Sequence, residues 1–221
     1  MEGSADRPVR VGNTMRRPAH HRSSYVDAVL RHLADVGFTG APCPLGYDDD
    51  GRQILTFIEG EVPAEEGPYR LPDARILSAA VLIRSFHDAT AASAFRADQE
   101  VVCHGDLGPH NTVFRGERAV AIIDFEDDLG PGRRVDDFAQ AVWGFADMTT
   151  PSVAVAEQAR KTRLMCDTYG GMTPPAVVTA LTERFRRAHD QHLAAGLTGA
   201  VRVFDDLLTW MARFGGRIAA G

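Results

Sequence analysis

Acidic and amide side chains follow two short apolar runs in the middle of the chain. The first run ends in the sequence His-Gly-Asp at residues 104–106, and Asn111 comes five residues after that aspartate. The second run, residues 119–123, ends in Asp124. If the runs are strands, each one fixes its backbone while the polar side chain at its end projects into a cleft. This placement favours a chemical role for Asp106, Asn111 and Asp124.

The spacing of these residues resembles the catalytic loop of kinases. The pattern H-x-D-x-x-x-x-N spans residues 104–111, and an apolar strand ending in an aspartate follows it. The form HGDLGPHN…IIDFE is most similar to the aminoglycoside phosphotransferase and choline kinase family, which has Gly-Asp where protein kinases usually have Arg-Asp. The resemblance is strong from about Val101 to Trp143 and weaker elsewhere. The alternative is two buried strands joined by a polar turn, which does not explain this spacing of Asp, Asn and Asp.

The resemblance implies specific roles for these side chains. Asp106 would accept or orient the proton of a substrate hydroxyl. Asn111 and Asp124 would supply oxygen ligands to Mg²⁺, which prefers hard oxygen donors. His104 would hold the backbone of the loop, and Asp136 would begin the following helix and brace the loop from below.

The resemblance also implies a hinge between two lobes at Phe57, Ile58 and Glu59. There a backbone amide and carbonyl would bind the base of ATP, with GTP left open as the nucleotide; the sequence itself shows a strand running into a Gly-containing connection. The implied reaction transfers the γ-phosphate to a hydroxyl of a small molecule. An aminoglycoside or another antibiotic is a candidate acceptor, which would make the protein an antibiotic-resistance kinase, and a cationic substrate is left open. The sequence does not identify the acceptor.

The N-terminal part departs from the family pattern. It is short, and no G-x-G-x-x-G loop is present to cover a phosphate. The chain has one lysine, Lys161, far from the N-terminal part, so the strand lysine that clamps the nucleotide is missing. Arg16 or Arg17 could replace it, because arginine also binds phosphate, or both could be solvated charges at the end of a strand.

These departures motivate a second hypothesis for the function. The chain could be a catalytically weak binding or immunity protein with a kinase fold. Short-lobed relatives of this type include bacteriocin immunity proteins, trifolitoxin immunity among them. Turnover of ATP with magnesium against hydroxylated compounds would distinguish the two hypotheses.

The composition is that of an ordinary globular protein. Hydrophobic residues make up 44% of the chain and charged residues 24%, and the net charge of −6 gives no reason to expect nucleic acid as a partner. Three widely separated cysteines form no CxxC pair, so neither a disulfide framework nor a zinc site is expected. No apolar run is long enough to span a bilayer, and we expect a cytoplasmic protein without a membrane partner. The oligomeric state cannot be inferred.

The predicted elements are mixed in the first part and mostly helical in the second. We predict a hairpin, a helix and two strands before the hinge, and a long helix from Asp73 to about residue 92 that carries a structural His87 under the loop. Residues 127–134 are predicted to form a loop, and helices follow. The class is therefore α+β, with a protein kinase-like fold. We predict a reduced N-terminal lobe at residues 1–57 and a helical C-terminal lobe at 58–221 that contains the catalytic loop 104–111 and Asp124.

Overall fold

The structure is a computed structural model that describes residues 7–64 and 67–220. Its N-terminal part is a four-stranded antiparallel sheet with strand order β1-β2-β4-β3, and one helix follows β2. The hairpin, the helix and the two strands predicted from the sequence are all present. Their bounds are β1 (Val9–Val11), β2 (Thr14–Arg17), α1 (Ser23–Asp35), β3 (Pro44–Tyr47) and β4 (Gln53–Thr56).

The rest of the described chain is mainly helical, with two small antiparallel sheets that pair β5 with β8 and β6 with β7. None of the described helices combines the length and the apolar character that a bilayer crossing requires. The bounds are α2 (Asp73–Thr90), β5 (Val101–Cys103), β6 (Thr112–Arg115), β7 (Arg118–Ile122), β8 (Gly130–Gly132), α3 (Arg134–Phe145), α4 (Val155–Tyr169), α5 (Pro174–Ala194) and α6 (Thr198–Ala220).

Strand β8 lies where the sequence predicts a loop. Its residues are Gly, Pro and Gly, which have low strand propensity and give no alternating pattern. The strand forms because β5 pairs with it, Val102 standing opposite Pro131. A long-range partner therefore decides the conformation of this segment.

Helix α2 forms the centre of the core. Its buried residues include Ile76, Ala80, Ile83 and Phe86, whose spacing of three and four residues places them on one buried stripe of the helix. The ring of Phe86 packs edge-on against Phe125, which directly follows the second candidate aspartate, with centroids 5.9 Å apart. The core helix thereby supports the segment that carries Asp124.

The connection after β4 is fastened to strand β6. Glu61 and Phe114 exchange two backbone hydrogen bonds, of 2.8 Å and 2.7 Å. Just before this bridge, Gly60 has φ +153°, and a Cβ there would lie 2.4 Å from Val113 Cγ1 and 2.6 Å from the Phe114 carbonyl oxygen. Both the conformation and the space require glycine at this point.

We expect Gly60→Ala to lower the free energy of unfolding by about 3 kcal/mol, because strain at this φ adds to the clash with β6. Gly51→Ala is the matched control, since Gly51 also has a positive φ (+74°) but open space around it. The control should cost only about 1 kcal/mol. Urea denaturation of both variants measures the difference, and equal losses would contradict the close approach of β6.

Candidate functional site

One buried carboxylate on α3 holds the loop after β5. Asp137 accepts hydrogen bonds from the backbone N–H groups of His104 (2.9 Å) and Gly105 (2.8 Å), and from His87 Nε2 at 3.0 Å. The side chains of Asp137 and His87 are fully buried. Burial opposes ionisation of Asp137, but the hydrogen bonds from His87 and the loop amides outweigh it and hold the pKa of the carboxyl below its ordinary value. The predicted structural role of His87 is confirmed.

Asp136 does not brace the loop, contrary to the sequence prediction. It forms a two-pronged ion pair with Arg133, at 2.7 Å and 2.8 Å, toward the surface. Consecutive residues of a helix point about 100° apart, so only one of two adjacent aspartates can face the loop. Asp137 is that residue, because it continues the buried stripe at Ala141 and Phe145. This spacing is the sequence signal that could have identified it.

His104 connects the loop to the end of β7. Its Nε2 donates to the carbonyl of Ile123 at 2.9 Å, and its Nδ1 accepts the backbone N–H of Asp106 at 3.3 Å. Both contacts are satisfied by the neutral tautomer with the proton on Nε2. Burial lowers the pKa of His104, which agrees with a neutral ring. The contacts are those of a positioning residue, as expected for His104.

The carboxylate of Asp106 receives three side-chain contacts. Its Oδ2 lies 3.3 Å from His110 Nε2 and 3.0 Å from Asn111 Nδ2, and its Oδ1 lies 3.3 Å from Gln140 Nε2. The hydrogen bond from His110 is the main reason that the pKa of Asp106 lies below its ordinary value, and burial opposes it. The side chain is still 46% exposed. An ionised oxygen is therefore held in place with one side open to a ligand.

Sequence reasoning did not single out Gln140 as a site residue. It lies on α3, which follows β8 in the chain, and only the folded structure brings it to Asp106. A single glutamine within a helical pattern gives no signal of this contact.

Asn111 and Asp124 lie on neighbouring backbone segments. The N–H of Ile123 donates to the carbonyl of Asn111 at 2.9 Å, which places Asp124 beside it. Asn111 uses its amide nitrogen on Asp106, at 3.0 Å from Oδ2, so its side-chain oxygen is the atom left for a cation. Asp124 has φ +65° and a 48% exposed side chain. One amide oxygen and one open carboxylate are a donor set that fits Mg²⁺.

Arg17 extends from the N-terminal sheet to Asp124, one of these two candidate metal ligands. Although it is only 5% exposed, its Nη1 lies 3.6 Å from Asp124 Oδ1 and 3.4 Å from Glu126 Oε1. Its Nε donates to Gln53 Oε1 at 2.6 Å, and Gln53 Nε2 in turn donates to Asp27 Oδ1 on α1 at 2.5 Å. A neutral amide thus connects a buried cation on the sheet to a buried carboxylate on the helix.

Arg16 does not reach this region. It pairs with Asp48 at the β3–β4 turn, at 3.2 Å. Adjacent residues of a strand point to opposite faces of the sheet, so the register that directs Arg17 inward directs Arg16 away. Of the two arginines proposed from the sequence, the structure places Arg17 beside Asp124.

A cavity of about 440 Å³ separates the N-terminal sheet from the strands that carry the candidate metal ligands. Phe57 and Ile58 of the predicted hinge line it, whereas Glu59 is absent from its described lining. The carbonyl of Glu59 already accepts a hydrogen bond from Arg115 at 3.0 Å, and its carboxylate pairs with Arg10 at 3.1 Å. The other described residues that line the cavity are Pro8, Met15, Arg17, Pro42, Leu55, Thr56, Gly60, Val62, His110, Asn111, Val113, Ile123 and Asp124.

A second cavity, of about 360 Å³, lies on the α3 side of Asp106. His110 lines both cavities, Asn111 lines the first and Gln140 the second, and all three side chains contact the carboxylate of Asp106, which is itself absent from both described linings. The described residues that line the second cavity are Gly67, Pro68, Tyr69, Leu107, His110, Gln140, Trp143, Gly144, Asp147, Met148, Thr149 and Thr150.

The segment after Asp124 is tied to the residues that precede α1. His20 Nδ1 lies 2.6 Å from Asp127 Oδ1, and Arg22 donates to the carbonyl of Leu129 at 2.7 Å. The possible ligand atoms of His20, His21 and Asp127 lie within 4.8 Å of one another, so this group could also hold a metal ion. His21 and Asp127 are largely exposed, and we interpret the contacts as a clamp between the two segments.

Comparisons with known proteins bear on the family of this chain. A model of the phosphotransferase enzyme family matches residues 65–174. The trifolitoxin immunity protein of Rhizobium leguminosarum bv. trifolii is 34% identical over 184 residues, which cover 73% of this chain and 69% of that protein. The chain belongs to the phosphotransferase enzyme family.

Similarity to solved structures confirms the kinase-like α+β fold. A choline/ethanolamine kinase family protein from Mesorhizobium loti has a TM-score of 0.63 at 18% identity, covering 100% of this chain and 92% of its own. APH(2")-IIia, solved with GDP and kanamycin, has a TM-score of 0.62 at 14% identity, covering 96% of this chain and 91% of its own. Identities this low bear on the fold alone.

We expect Asp137→Asn to lower the free energy of unfolding by about 3 kcal/mol, because it removes a buried charge partner and turns an amide N–H₂ toward donors. Asp136→Asn is the matched control and should change it by less than about 0.5 kcal/mol. The lowered pKa of Asp137 fixes the pH dependence. Its stabilisation is present above the ordinary carboxyl pKa of 3.8 and is lost as pH falls through the lowered value.

Urea denaturation at neutral pH and in acid would measure both effects. Equal losses for the two variants at neutral pH would show that Asp137 has no special role in holding the loop. An undiminished difference at the lowest pH would show that its charge is not involved.

Proposed function

We propose that this protein is a magnesium-dependent O-phosphotransferase that transfers the γ-phosphate of ATP or GTP to a hydroxyl of a small molecule. The observation that carries the proposal is the setting of Asp106, a half-exposed carboxylate whose contacts Asn111 and Gln140 line the first and the second cavity, respectively. A phosphoryl donor in one cavity and a hydroxyl in the other would meet at this carboxylate. Family membership and the GDP bound to APH(2")-IIia support the same reaction class.

The first cavity suits a nucleotide. Met15 and Leu55 from the sheet face Val113 and Ile123 from the strands below, which gives apolar walls for a purine base. Because residues on both sides of residue 57 line this cavity, we propose the same division as from the sequence, into lobes 1–57 and 58–221. A reaction that consumes ATP or GTP would take place in the cytoplasm.

The charged residues lie at one end of this cavity, where the phosphates would be. Asn111 and Asp124 would hold Mg²⁺, which would neutralise charge on the transferring phosphate. Arg17 would bind phosphate oxygens with its planar fork of donors, and Gln53 and Asp27 would keep that fork in place.

Asp106 would orient the acceptor hydroxyl and receive its proton. A carboxylate whose pKa is lowered is a weak base, so its main contribution would be alignment, with proton transfer late in the reaction. Phosphoryl transfer passes through a loose transition state that demands little early proton removal. The contacts from Asn111 and His110 would fix the angle of the carboxylate.

The relative described as a trifolitoxin immunity protein favours a second candidate function. A protein that binds a toxic peptide and does not turn over nucleotide would be an immunity factor with a kinase fold. The substitution of arginine for the usual lysine fits a weakened use of nucleotide. Measurable phosphate transfer to any hydroxyl compound would favour the enzyme.

Neutralising Asp106 and neutralising Asp124 should affect different quantities, turnover in the first case and nucleotide binding in the second. Asp106→Asn should leave nucleotide binding with magnesium nearly unchanged, because its partner is the acceptor, while turnover falls by about 10²-fold or more. Asp124→Asn should weaken magnesium-dependent nucleotide binding, because a carboxylate ligand and its charge are lost. Calorimetric titration with ATP, with and without magnesium, beside steady-state turnover would measure both.

The opposite pattern would show that the two roles are assigned the wrong way round. If the wild-type protein binds and turns over neither ATP nor GTP, the immunity or binding function takes precedence.

Arg17→Met should weaken ATP binding by about tenfold or more, since a charge-assisted contact to phosphate is lost. Arg17→Lys should lose less ATP affinity than Arg17→Met, because lysine keeps the charge but not the two-pronged geometry of arginine. Arg16→Met is the control and should leave the affinity unchanged. Adenosine, which has no phosphate, should bind all four proteins alike. A loss of adenosine affinity in Arg17→Met would mean that the arginine supports the fold of the cavity and does not clamp phosphate.

A further inference from the structure

The cavity on the α3 side of Asp106 has aromatic and apolar walls. Trp143, Tyr69, Met148 and Leu107 contribute most of its large side chains. The indole of Trp143 is held in position, because its Nε1 donates to Thr149 Oγ1 at 2.9 Å and its ring packs edge-on against Phe185 with centroids 5.0 Å apart. Fixed rings of this kind offer a flat apolar surface to a ligand.

The acidic side chain in the described lining of this cavity is Asp147, and its charge is already balanced. Its Oδ2 lies 2.9 Å from Lys161 Nζ, and both side chains are buried. Its Oδ1 also accepts the backbone N–H of Tyr69 at 2.7 Å. Lys161 is the only lysine in the sequence. A cationic ligand would therefore find no unbalanced carboxylate among the described lining residues, apart from the reacting Asp106 next to them.

The backbone that carries Asp147 is strained. Asp147 has φ +51° and Thr149 has φ +64°, although neither is glycine. Gln158 maintains this conformation, since its side chain accepts the N–H of Thr149 at 3.1 Å and donates to the carbonyl of Thr150 at 3.0 Å. Such strain persists only where surrounding contacts impose it, and it is concentrated at binding sites.

Gln140 lines the same cavity and has a side-chain oxygen without a hydrogen-bond partner in the described structure. The residue is 6% exposed, its Nε2 contacts Asp106 Oδ1, and this oxygen, Oε1, is buried. The reversed amide would place oxygen against the ionised carboxylate, so the carboxylate determines the orientation. A buried acceptor without a donor is uncommon and calls for a ligand that supplies one.

We infer that the acceptor is an uncharged molecule with an apolar face, whose N–H or O–H donor, on the carbon next to the one that bears the reacting hydroxyl, binds Gln140 Oε1. This inference rests on the proposed function and specifies the substrate class of the same site. Gln140 would bind Asp106 with its nitrogen and the substrate with its oxygen, and thereby set the reacting hydroxyl relative to the carboxylate. A polycation such as kanamycin does not fit these walls.

Four probe compounds test each feature separately. N-acetylphenylalaninol has a primary hydroxyl, an adjacent amide N–H and a flat ring, and it is uncharged. Phenylalaninol has the same skeleton with a cationic amine, 3-phenylpropan-1-ol lacks the donor, and kanamycin is the polycation. Calorimetry on the protein with magnesium and a non-hydrolysable ATP analogue ranks the four compounds by affinity. Initial rates with ATP rank them independently by reactivity.

We expect N-acetylphenylalaninol to bind and react best, about tenfold better than 3-phenylpropan-1-ol. In Gln140→Met, which is similar in volume, this ratio should fall to about one. A ratio between two ligands on one variant cancels any general loss of folded protein. Restoration of the ratio in Gln140→Asn is not expected, because the shorter amide cannot reach both partners.

The inference is overturned if phenylalaninol or kanamycin binds more tightly than N-acetylphenylalaninol. It is also overturned if the ratio of N-acetylphenylalaninol to 3-phenylpropan-1-ol is unchanged in Gln140→Met. Failure of all the neutral probes to bind at millimolar concentration also overturns it. Failure of the proposed function has a different signature, which is the absence of ATP or GTP binding in the titrations without any probe.

Discussion

The site depends on one ion buried where four segments meet. Asp137 on α3 holds the two loop amides after β5 and the ring of His87 on α2, and that ring lies 2.7 Å from the hydroxyl of Tyr169 on α4. A buried carboxylate is costly unless its oxygens are satisfied, so these partners cannot move independently. The loop that carries Asp106 is rigid because the interior of the helical part fixes it, although its own sequence contains flexible glycines.

The N-terminal part also contains buried charges, and a neutral side chain satisfies them. A buried arginine and a buried aspartate, Arg17 and Asp27, are joined through the neutral side chain of Gln53. The amide turns its oxygen toward the cation and its nitrogen toward the anion, so both ions are hydrogen-bonded without direct contact. Arg17 keeps donors for Asp124 and Glu126, and a small sheet can present a cation to the cleft.

Polar groups close to Asp106 divide into those that are satisfied and one that is not. His104 is fully bonded and neutral, and Asp147 is balanced by Lys161, so both shape the site without offering charge. The carboxylate of Asp106 is half-exposed, and Gln140 beside it has a buried oxygen without a hydrogen-bond partner in the described structure. This contrast separates the side chains that build the site from those that would meet a ligand. Under the proposal made above, hydrogen bonds and apolar contact would determine which acceptor the cavity binds.

The sequence by itself determined the fold class and the positions of Asp106, Asn111 and Asp124, because strand ends and a short loop fix their spacing locally. Tertiary structure decided the rest. Strand register selected Arg17 over Arg16, and helix rotation selected Asp137 over Asp136. Glu59 lies outside the described lining of the cavity, and its carbonyl accepts a hydrogen bond from Arg115. The strand at Gly130–Gly132 and the approach of Gln140 to Asp106 depend on partners distant in the chain. One-residue choices and long-range pairings leave almost no local signal, since their energy comes from atoms that meet only after folding.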